Sequence, residues 1–114
     1  MGTDGPFGYP QDGEQPGRNV DVSPFAISTT AVTTGEFATF VDATGHTTQA
    51  EVDGWSFVFA ELLPEQSDES ARVVGAEWWR RVFGASWRPP EGRQSDTATR
   101  SNHPVVHVSW NDAI

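Results

Sequence analysis

Twelve large aromatic side chains, five Trp and seven Phe, occur in a chain of only 114 residues that also contains 11 Gly and 8 Pro. Each ring of this size buries roughly 150–250 Å², so a few of them can close a core without long helices or strands. Frequent Gly and Pro interrupt regular structure at short intervals. The sequence therefore predicts an ordered α+β domain with little regular secondary structure.

Charge, hydropathy and cysteine content exclude several classes of function. The chain carries a net charge of −9 and contains no Lys, so it lacks the clustered positive charge that binds nucleic-acid backbones. No apolar run approaches the roughly 18 residues of a membrane span, and the first residues lack the features of a secretory signal. We therefore expect no nucleic-acid and no membrane partner. Localisation stays unknown, with the cytoplasm as the expectation for a bacterial protein.

One predicted helix has a complete set of local signals, from Thr34 to about Ala43. Thr33 and Glu36 have the spacing of a capping box, in which the Thr hydroxyl and the Glu carboxylate each accept a hydrogen bond from a free backbone amide. Gly45 follows the last turn, where a left-handed residue ends many helices. The apolar face of this predicted helix consists of Phe37, Phe40 and Val41.

Short segments with alternating or apolar side chains are the strand candidates. Asn19–Val22 and Phe25–Ser28 alternate, which predicts a short hairpin or a bent strand. Val105–Val108 predicts a further strand. Two segments are ambiguous, because 56–59 fits either a strand or an aromatic-rich loop, and 76–82 fits either a helical turn or a strand.

The remaining segments predict turns and exposed chain. Pro89–Gly92 has the composition of a tight turn, and the polar, acidic segment Glu61–Arg72 is expected to be exposed. Ser109 or Asn111 is a suitable cap for a helix that begins immediately after it. Because the chain stops at Ile114, before such a helix can extend, we expect these residues to be the front part of a longer domain.

Candidate metal and catalytic side chains are few. His103 and His107 are four residues apart, but in an extended chain at about 3.3 Å per residue they lie roughly 13 Å apart, too far to share a metal ion. Trp110, Asn111 and Asp112 resemble a calcium-binding tripeptide of C-type lectins, although the partner motif of those lectins is missing. We predict no catalytic residue and no metal ligand in this chain.

Three segments together resemble one known family. Gly54–Phe59, Trp87–Gly92 and Asn102–Ala113 occur in the order and at the spacing found in the formylglycine-generating enzymes, also called sulfatase-modifying factors. The N-terminal residues and the predicted helix also fit this family, so the resemblance covers nearly the whole chain. It implies that residues 1–114 are an incomplete N-terminal portion of one domain, with a partial formylglycine-generating-enzyme fold related to C-type lectin-like folds.

The resemblance also implies a reaction and what it requires. Enzymes of this family oxidise the cysteine of a Cys-x-Pro-x-Arg sulfatase segment to formylglycine with oxygen, using copper(I) held by two cysteines, and calcium ions that brace the fold. This chain has no cysteine, so no cofactor is expected within it. Copper and calcium are expected in the complete domain, and the sulfatase polypeptide is the expected partner of the complete enzyme.

Part of the substrate groove carries over to this sequence. In the family, a Trp-Arg-x-Pro-Glu-Gly segment lines the cleft that receives the extended peptide, so the matching residues Trp87, Arg88 and Pro90 are predicted to bind substrate. Trp55 and Ser56 lie in the other matched loop and are predicted to contribute. The sequence leaves open whether Trp87 packs in the core instead.

Two other functions remain open at this point. The chain fits a non-catalytic peptide- or sugar-binding module of the same wider fold. It also fits the iron-dependent sulfoxide synthases that share this fold, but these require a histidine-rich iron site that the sequence does not show. Two cysteines in the sequence that follows Ile114 would favour the enzyme over the module.

Overall fold

A computed structural model of the chain describes residues 1–64 and 70–114. Within these ranges short helices and a small antiparallel sheet alternate with irregular chain, which confirms a mixed α+β architecture. In chain order the elements are a 3-10 turn (Pro10–Asp12), α1 (Thr34–Thr44), α2 (Gln49–Asp53), β1 (Trp55–Phe59), a 3-10 turn (Ala60–Leu62), β2 (Ser70–Arg72), β3 (Trp79–Phe83) and α3 (Trp110–Ala113).

The three α-helices begin at the same device, a reciprocal capping box. In α1 the Thr33 hydroxyl accepts from the Glu36 amide, and the Glu36 carboxylate accepts from the Thr33 amide at 2.8 Å. Gly45 ends this helix in the left-handed conformation, with φ at 68°. The predicted helix is therefore confirmed at both ends. The sequence allowed either Ser109 or Asn111 as the cap of α3, and the structure has Ser109.

The cap of α2 is the most buried of the three, because Thr48 has no exposed surface. Its hydroxyl hydrogen-bonds to the Glu51 carboxylate at 2.8 Å, and its oxygen accepts from the Glu51 amide at 3.4 Å. We expect Thr48→Ala to lower the free energy of unfolding by about 1–2 kcal/mol, measured by urea denaturation. Thr48→Ser loses the buried methyl but keeps the hydroxyl, so the difference between the two variants isolates the cap. Equal stabilities of the Ser and Ala variants would contradict this role.

The sheet has the order β1-β3-β2, and both pairings are antiparallel. Trp55 lies opposite Phe83, and Phe59 lies opposite Trp79. Because side chains alternate along a strand, one face of the sheet carries a row of aromatic side chains. The opposite face buries Val58 and Val82, each 3% exposed. The strand alternative is thus confirmed for 56–59. It is also confirmed for the part of segment 76–82 that lies in β3.

The core of the described residues is small and lies between the sheet, α1 and the irregular chain after β3. Val58 and Val82 form a cluster with Ala85, and Leu63 packs against its edge. The Trp87 ring meets the Phe37 ring edge-on, with 5.1 Å between the centroids, so this contact joins the chain after β3 to α1. Of the twelve Trp and Phe side chains, all of which lie within the described residues, only Phe37 and Trp87 are buried, so large rings close the core at this contact alone, and the Val58 cluster is aliphatic.

The strands predicted at Asn19–Val22 and Phe25–Ser28 are wrong. Neither segment forms a helix or a strand, and residues 16–32 are all exposed, with Phe25 at 72% and Ile27 at 81%. Alternation predicts which side chains share a face, but a strand also requires a partner, and no described strand pairs with this segment. This exposed chain explains the Cα radius of gyration of 17.3 Å, since a compact chain of 100 residues has about 13 Å.

The strand predicted at Val105–Val108 is also wrong. The only β-type pairing of this region among the described residues is an isolated bridge between Thr33 and Pro104. His107 then takes a left-handed conformation with φ at 59°, which turns the backbone and ends any extended run. The turn at Pro89–Gly92 is confirmed, because the Gly92 amide donates to the Pro89 carbonyl at 3.0 Å. Of the predicted excursion Glu61–Arg72, residues 65–69 lie outside the described residues, and Ser70–Arg72 form β2.

Candidate functional site

A cavity of about 560 Å³ lies between β1, the turn at 89–92 and the irregular segment 97–107. This volume is within the range of about 300–1,000 Å³ that is typical of ligand pockets. Aromatic side chains form much of its wall: Phe57, Phe59, Trp79 and Trp87. Its polar side chains are Thr34 of α1 and a group on the two irregular segments: Glu91, Thr97, Arg100, His103 and His107. The cavity is thus an apolar cleft with a few polar groups.

His107 connects the two walls of this cavity. One ring nitrogen, Nδ1, lies 2.8 Å from the Ser56 hydroxyl of β1, and the other, Nε2, lies 2.8 Å from the Pro90 carbonyl of the turn. A carbonyl oxygen only accepts, so Nε2 carries the proton and donates to Pro90. Nδ1 is then the acceptor for the Ser56 hydroxyl. A single neutral side chain therefore bridges two segments that are distant in sequence.

The backbone and the environment of His107 are both unusual. A left-handed conformation costs a residue other than Gly of the order of 1–2 kcal/mol, although His adopts it more readily than most. Burial lowers the pKa of His107, while the Pro90 carbonyl and the Glu91 carboxylate act in the opposite direction and do not fully offset it. The neutral ring is therefore the main form at neutral pH.

An ion pair fixes the second polar corner of the cavity. The Arg100 guanidinium donates to the Glu91 carboxylate at 2.6 Å, and the Glu91 side chain is only 16% exposed. The hydrogen bond to Glu91 raises the pKa of Arg100, so this guanidinium stays charged at all accessible pH values. Ser95 supports the same turn, since its hydroxyl accepts from the Glu91 amide and donates to the Gly92 carbonyl. The 89–92 turn is therefore held from several sides.

Two of the five predicted substrate residues line the cavity. Pro90 is buried and lines the space, and Trp87 forms part of the wall although only 2% of it is exposed. The indole nitrogen of Trp87 is buried, and no described residue accepts a hydrogen bond from it. Ser56 lies behind the cavity wall and is joined to Pro90 through His107.

The other two predicted residues lie outside the cavity. Trp55 is on the aromatic face of the sheet, where the Arg81 guanidinium stacks on its ring at 4.2 Å from the centroid. Arg88 is exposed, stacks on the Trp87 ring at 4.3 Å and lies 3.8 Å from the Asp42 carboxylate of α1. The structure therefore groups Trp87, Arg88, Pro90 and Ser56 on one side of the molecule and leaves Trp55 on the sheet face.

A second polar cluster is centred on Asp112, whose side chain is 4% exposed. One carboxylate oxygen accepts from His46 Nε2 at 3.0 Å and from the Gln49 amide at 3.1 Å. The other accepts from the amide and the hydroxyl of Ser109, both at 2.7 Å. Both carboxylate oxygens of Asp112 thus hold protein donors and are engaged in this cluster. The cluster fastens α3 to the segment between α1 and α2.

Within residues 1–64 and 70–114, no three His, Asp or Glu side chains lie close enough together to hold a metal ion. The same residues contain no helix that is long and apolar enough to cross a membrane.

Sequence reasoning missed two members of the candidate site. The sequence predicts His107 in an extended strand, as a packed or hydrogen-bonded histidine and not as a metal ligand, but its contacts depend on a backbone turn that hydrophobic alternation does not indicate. Arg100 was not singled out, because its partner Glu91 is nine residues away in irregular chain. The one signal in the sequence was the residue type of His107, since His adopts a left-handed backbone more often than most residues other than Gly.

Comparison with known proteins gives consistent matches over the whole chain. A family model for the sulfatase-modifying factor enzyme 1-like domain matches residues 1–114. The formylglycine-generating enzyme of Thermomonospora curvata is 52% identical over 115 residues, which cover 100% of this chain and 38% of that protein. That of Streptomyces coelicolor is 54% identical over 107 residues, covering 93% and 34%. The inactive C-alpha-formylglycine-generating enzyme 2 of Bos taurus is 47% identical over 115 residues, covering 99% and 38%. The chain therefore spans about a third of the length of these curated relatives.

Proposed function

This chain belongs to the family of the sulfatase-modifying factor enzyme 1-like domain, and from that membership we propose that it forms part of the peptide groove of an enzyme that oxidises a sulfatase cysteine to formylglycine. The substrate is an extended Cys-x-Pro-x-Arg segment of the sulfatase, and the complete enzyme uses oxygen and copper. The groove in this chain consists of the cavity lined by Trp87 and Pro90, with Arg88 stacked on Trp87 beside it and Ser56 hydrogen-bonded to His107 of the lining.

The observation that carries this proposal is the bridge made by His107. Ser56 and Pro90 lie in different sequence motifs and are 34 residues apart, yet one ring hydrogen-bonds to both of them. The two segments, which the resemblance to the family singles out, are thereby held beside the same cavity. A pre-formed groove of this kind suits an extended peptide, because little further ordering of the protein is needed on binding.

Charge also supports a substrate that contains Arg. The chain has a net charge of −9, and its acidic side chains are concentrated in residues 1–71, which have twelve Asp or Glu and one Arg. Such a surface attracts a cationic peptide and raises its rate of encounter, an effect that weakens with salt. The exposed carboxylate of Asp42 lies on the Arg88 side of the molecule and contributes to this field.

The residues present do not fit copper. Copper(I) prefers thiolate ligands, and the chain contains no cysteine. The described residues also bring no three carboxylate groups together for calcium, which takes oxygen ligands. We therefore assign no step of the oxidation to this chain, and its own contribution is the binding and orientation of the peptide. We also propose the relationship to C-type lectin-like folds, which the small sheet and the long irregular segments support.

A second candidate function is a non-catalytic peptide-binding module. It is favoured by the 47% identity to a relative whose name describes it as inactive. Such a module keeps the groove and binds the same class of peptide without oxidising it.

Arg88→Ala in the full-length protein tests the groove. The exposed guanidinium stacks on Trp87 beside the cavity, and its 3.8 Å contact with the exposed Asp42 carboxylate is a weak surface pair, so its planar donors can bind peptide carbonyl groups. We expect the KM for a Cys-x-Pro-x-Arg peptide to rise about five- to tenfold, with kcat changed less than about twofold, because binding contacts are lost that ground and transition states share.

Arg93→Ala is the matched control for this variant, because Arg93 is also exposed but neither lines the cavity nor stacks on Trp87 of its wall. An unchanged KM for Arg88→Ala would remove Arg88 from the groove. Binding of the peptide without any oxidation by the wild-type protein would favour the non-catalytic module.

A further inference from the structure

We propose that His107 is the positioning residue of the groove, holding the Pro90 carbonyl and the Ser56 hydroxyl at a fixed separation so that the turn is pre-set before peptide binds. This inference rests on the proposed function of the groove. It assigns to His107 no contact with the reacting cysteine. His107 acts through the two groups that it bonds.

The position of the Pro90 carbonyl depends on His107 because Pro90 has no backbone N–H. A Pro residue has no N–H, so its carbonyl is the only backbone group through which Pro90 can be held by a hydrogen bond. That carbonyl accepts from His107 Nε2 at 2.8 Å. The neighbouring hydrogen bonds of the turn involve Pro89 and Gly92 instead. Without His107, the carbonyl at the centre of the predicted groove has no partner among the described residues.

The opposite end of the ring is fixed to a more rigid element. Ser56 belongs to β1, and β1 pairs with β3 along its whole length. The hydroxyl of Ser56 lies 2.8 Å from His107 Nδ1. The ring therefore fixes the turn, which has no regular structure of its own, relative to a strand that is paired along its whole length. Both bonds require the same ring orientation, so neither group can shift independently.

The backbone of His107 supports a role for the ring. Its φ of 59° makes it the one residue other than Gly with a positive φ among the described residues. Strain of this kind persists where the surrounding structure imposes it, and it is common at functional sites. Here the left-handed turn directs the ring to the space between Ser56 and Pro90, whereas a continued strand would carry the side chain elsewhere.

The charge state of His107 controls the hydrogen bond to Ser56. In the neutral ring Nδ1 accepts the Ser56 proton, and a protonated Nδ1 can donate to the Ser56 oxygen instead, but burial disfavours the charged ring and favours conformations in which it leaves the bridge for water. The charged groups that face the ring are Glu91 of the turn and its partner Arg100, with His103 on the segment that leads to His107. We therefore expect the peptide KM to rise as the pH falls through the pKa of His107.

His107→Asn in the full-length protein tests this role, since Asn tolerates a left-handed backbone but is too short to reach both partners. We expect the peptide KM to rise roughly fivefold, with kcat within about twofold of wild type, and the pH dependence of KM to flatten at low pH. His46→Asn is the matched control, because it also removes an inter-segment histidine hydrogen bond, the one to Asp112, but lies outside the cavity.

A measurement on the wild-type protein keeps the proposal testable if His107→Asn does not fold. The ¹⁵N chemical shifts of the His107 ring should identify the tautomer with the proton on Nε2 at neutral pH. A ring protonated on Nδ1, or a His107→Asn variant whose peptide KM and pH profile match those of His46→Asn, would overturn the positioning role. Wild-type protein that neither binds nor oxidises the peptide would instead contradict the proposed function.

Discussion

Trp87→Ala is expected to lower the free energy of unfolding by about 3–5 kcal/mol, the cost of removing a large buried aromatic side chain. Trp87 is only 2% exposed, and its ring packs edge-on against Phe37 of α1. The stability of a domain is of the order of 5–15 kcal/mol, so this loss is a large part of the total. Urea denaturation followed by circular dichroism measures it.

Trp87→Phe separates packing from the polar atom of the indole. Phe retains the contact with the Phe37 ring, and it removes an N–H that is buried with no acceptor among the described residues. Removing such a group recovers a desolvation cost of about 1–3 kcal/mol, which offsets the smaller volume of the ring. We therefore expect Trp87→Phe to be within about 1 kcal/mol of wild type. A Phe variant as unstable as the Ala variant would contradict this account.

The same pair of variants addresses the predicted role of Trp87 in substrate binding. The structure places Trp87 both in the core and in the cavity wall, so a raised peptide KM in Trp87→Ala cannot by itself be assigned to either. A raised KM in the stable Trp87→Phe variant would assign the indole to the groove. An unchanged KM would leave Trp87 as a core residue that only shapes the wall.

Asp112→Asn is expected to lower the free energy of unfolding by about 3 kcal/mol at pH 7, because at least one buried donor loses its acceptor. The carboxylate accepts from His46, from the Gln49 amide and twice from Ser109. Asn supplies one oxygen, and its NH₂ group then faces donors. Asp96→Asn is the matched control, since Asp96 is exposed and accepts from a single amide. A loss for Asp112→Asn no larger than that of the control would refute the role of this cluster.

The effect of Asp112→Asn should depend on pH in one direction. Burial alone would raise the pKa of Asp112, but the hydrogen bonds from Ser109, His46 and Gln49 outweigh it and lower the pKa. A carboxyl group with a lowered pKa contributes stability above its unfolded-state pKa, about 3.9, and loses it as the pH falls through the folded-state value. The stability gap between wild type and Asp112→Asn should therefore stay constant from pH 7 to about 5 and shrink below about 4. Urea titrations at several pH values measure it, and a gap that persists at pH 3 would contradict the linkage.

Local signals in the sequence predicted α1 and the start of α3, whereas α2 was not predicted. The capping box of Thr33 and Glu36 and the left-handed Gly45 fixed both ends of α1, because these interactions lie within a few residues of each other. The strands were harder to predict. Residues 19–28 alternate without a partner strand, whereas β3 forms because β1 and β2 pair with it on its two sides. Pairing between distant segments is a tertiary property that alternation does not contain.

The candidate site was predicted in part. Motifs placed Pro90 and Ser56 near a groove, and the structure brings them together. The group that joins them, His107, was missed because a strand was expected there and the structure has a left-handed turn. Long-range contacts between irregular segments, such as that of Glu91 with Arg100, have no periodic pattern by which a single sequence could reveal them.

The hydrogen bonds that join α1 and the start of α2 to residues near Ile114 have a consequence for synthesis on the ribosome. The first amides of α1 donate to carbonyls of Ser101 and His103, and the segment at 46–49 is tied to Asp112, some 63 to 69 residues later. Closing such long loops is slow relative to forming a helical turn. Both early helices therefore leave the exit tunnel well before their anchors are translated, and the nascent chain must carry them undocked until that later stretch emerges.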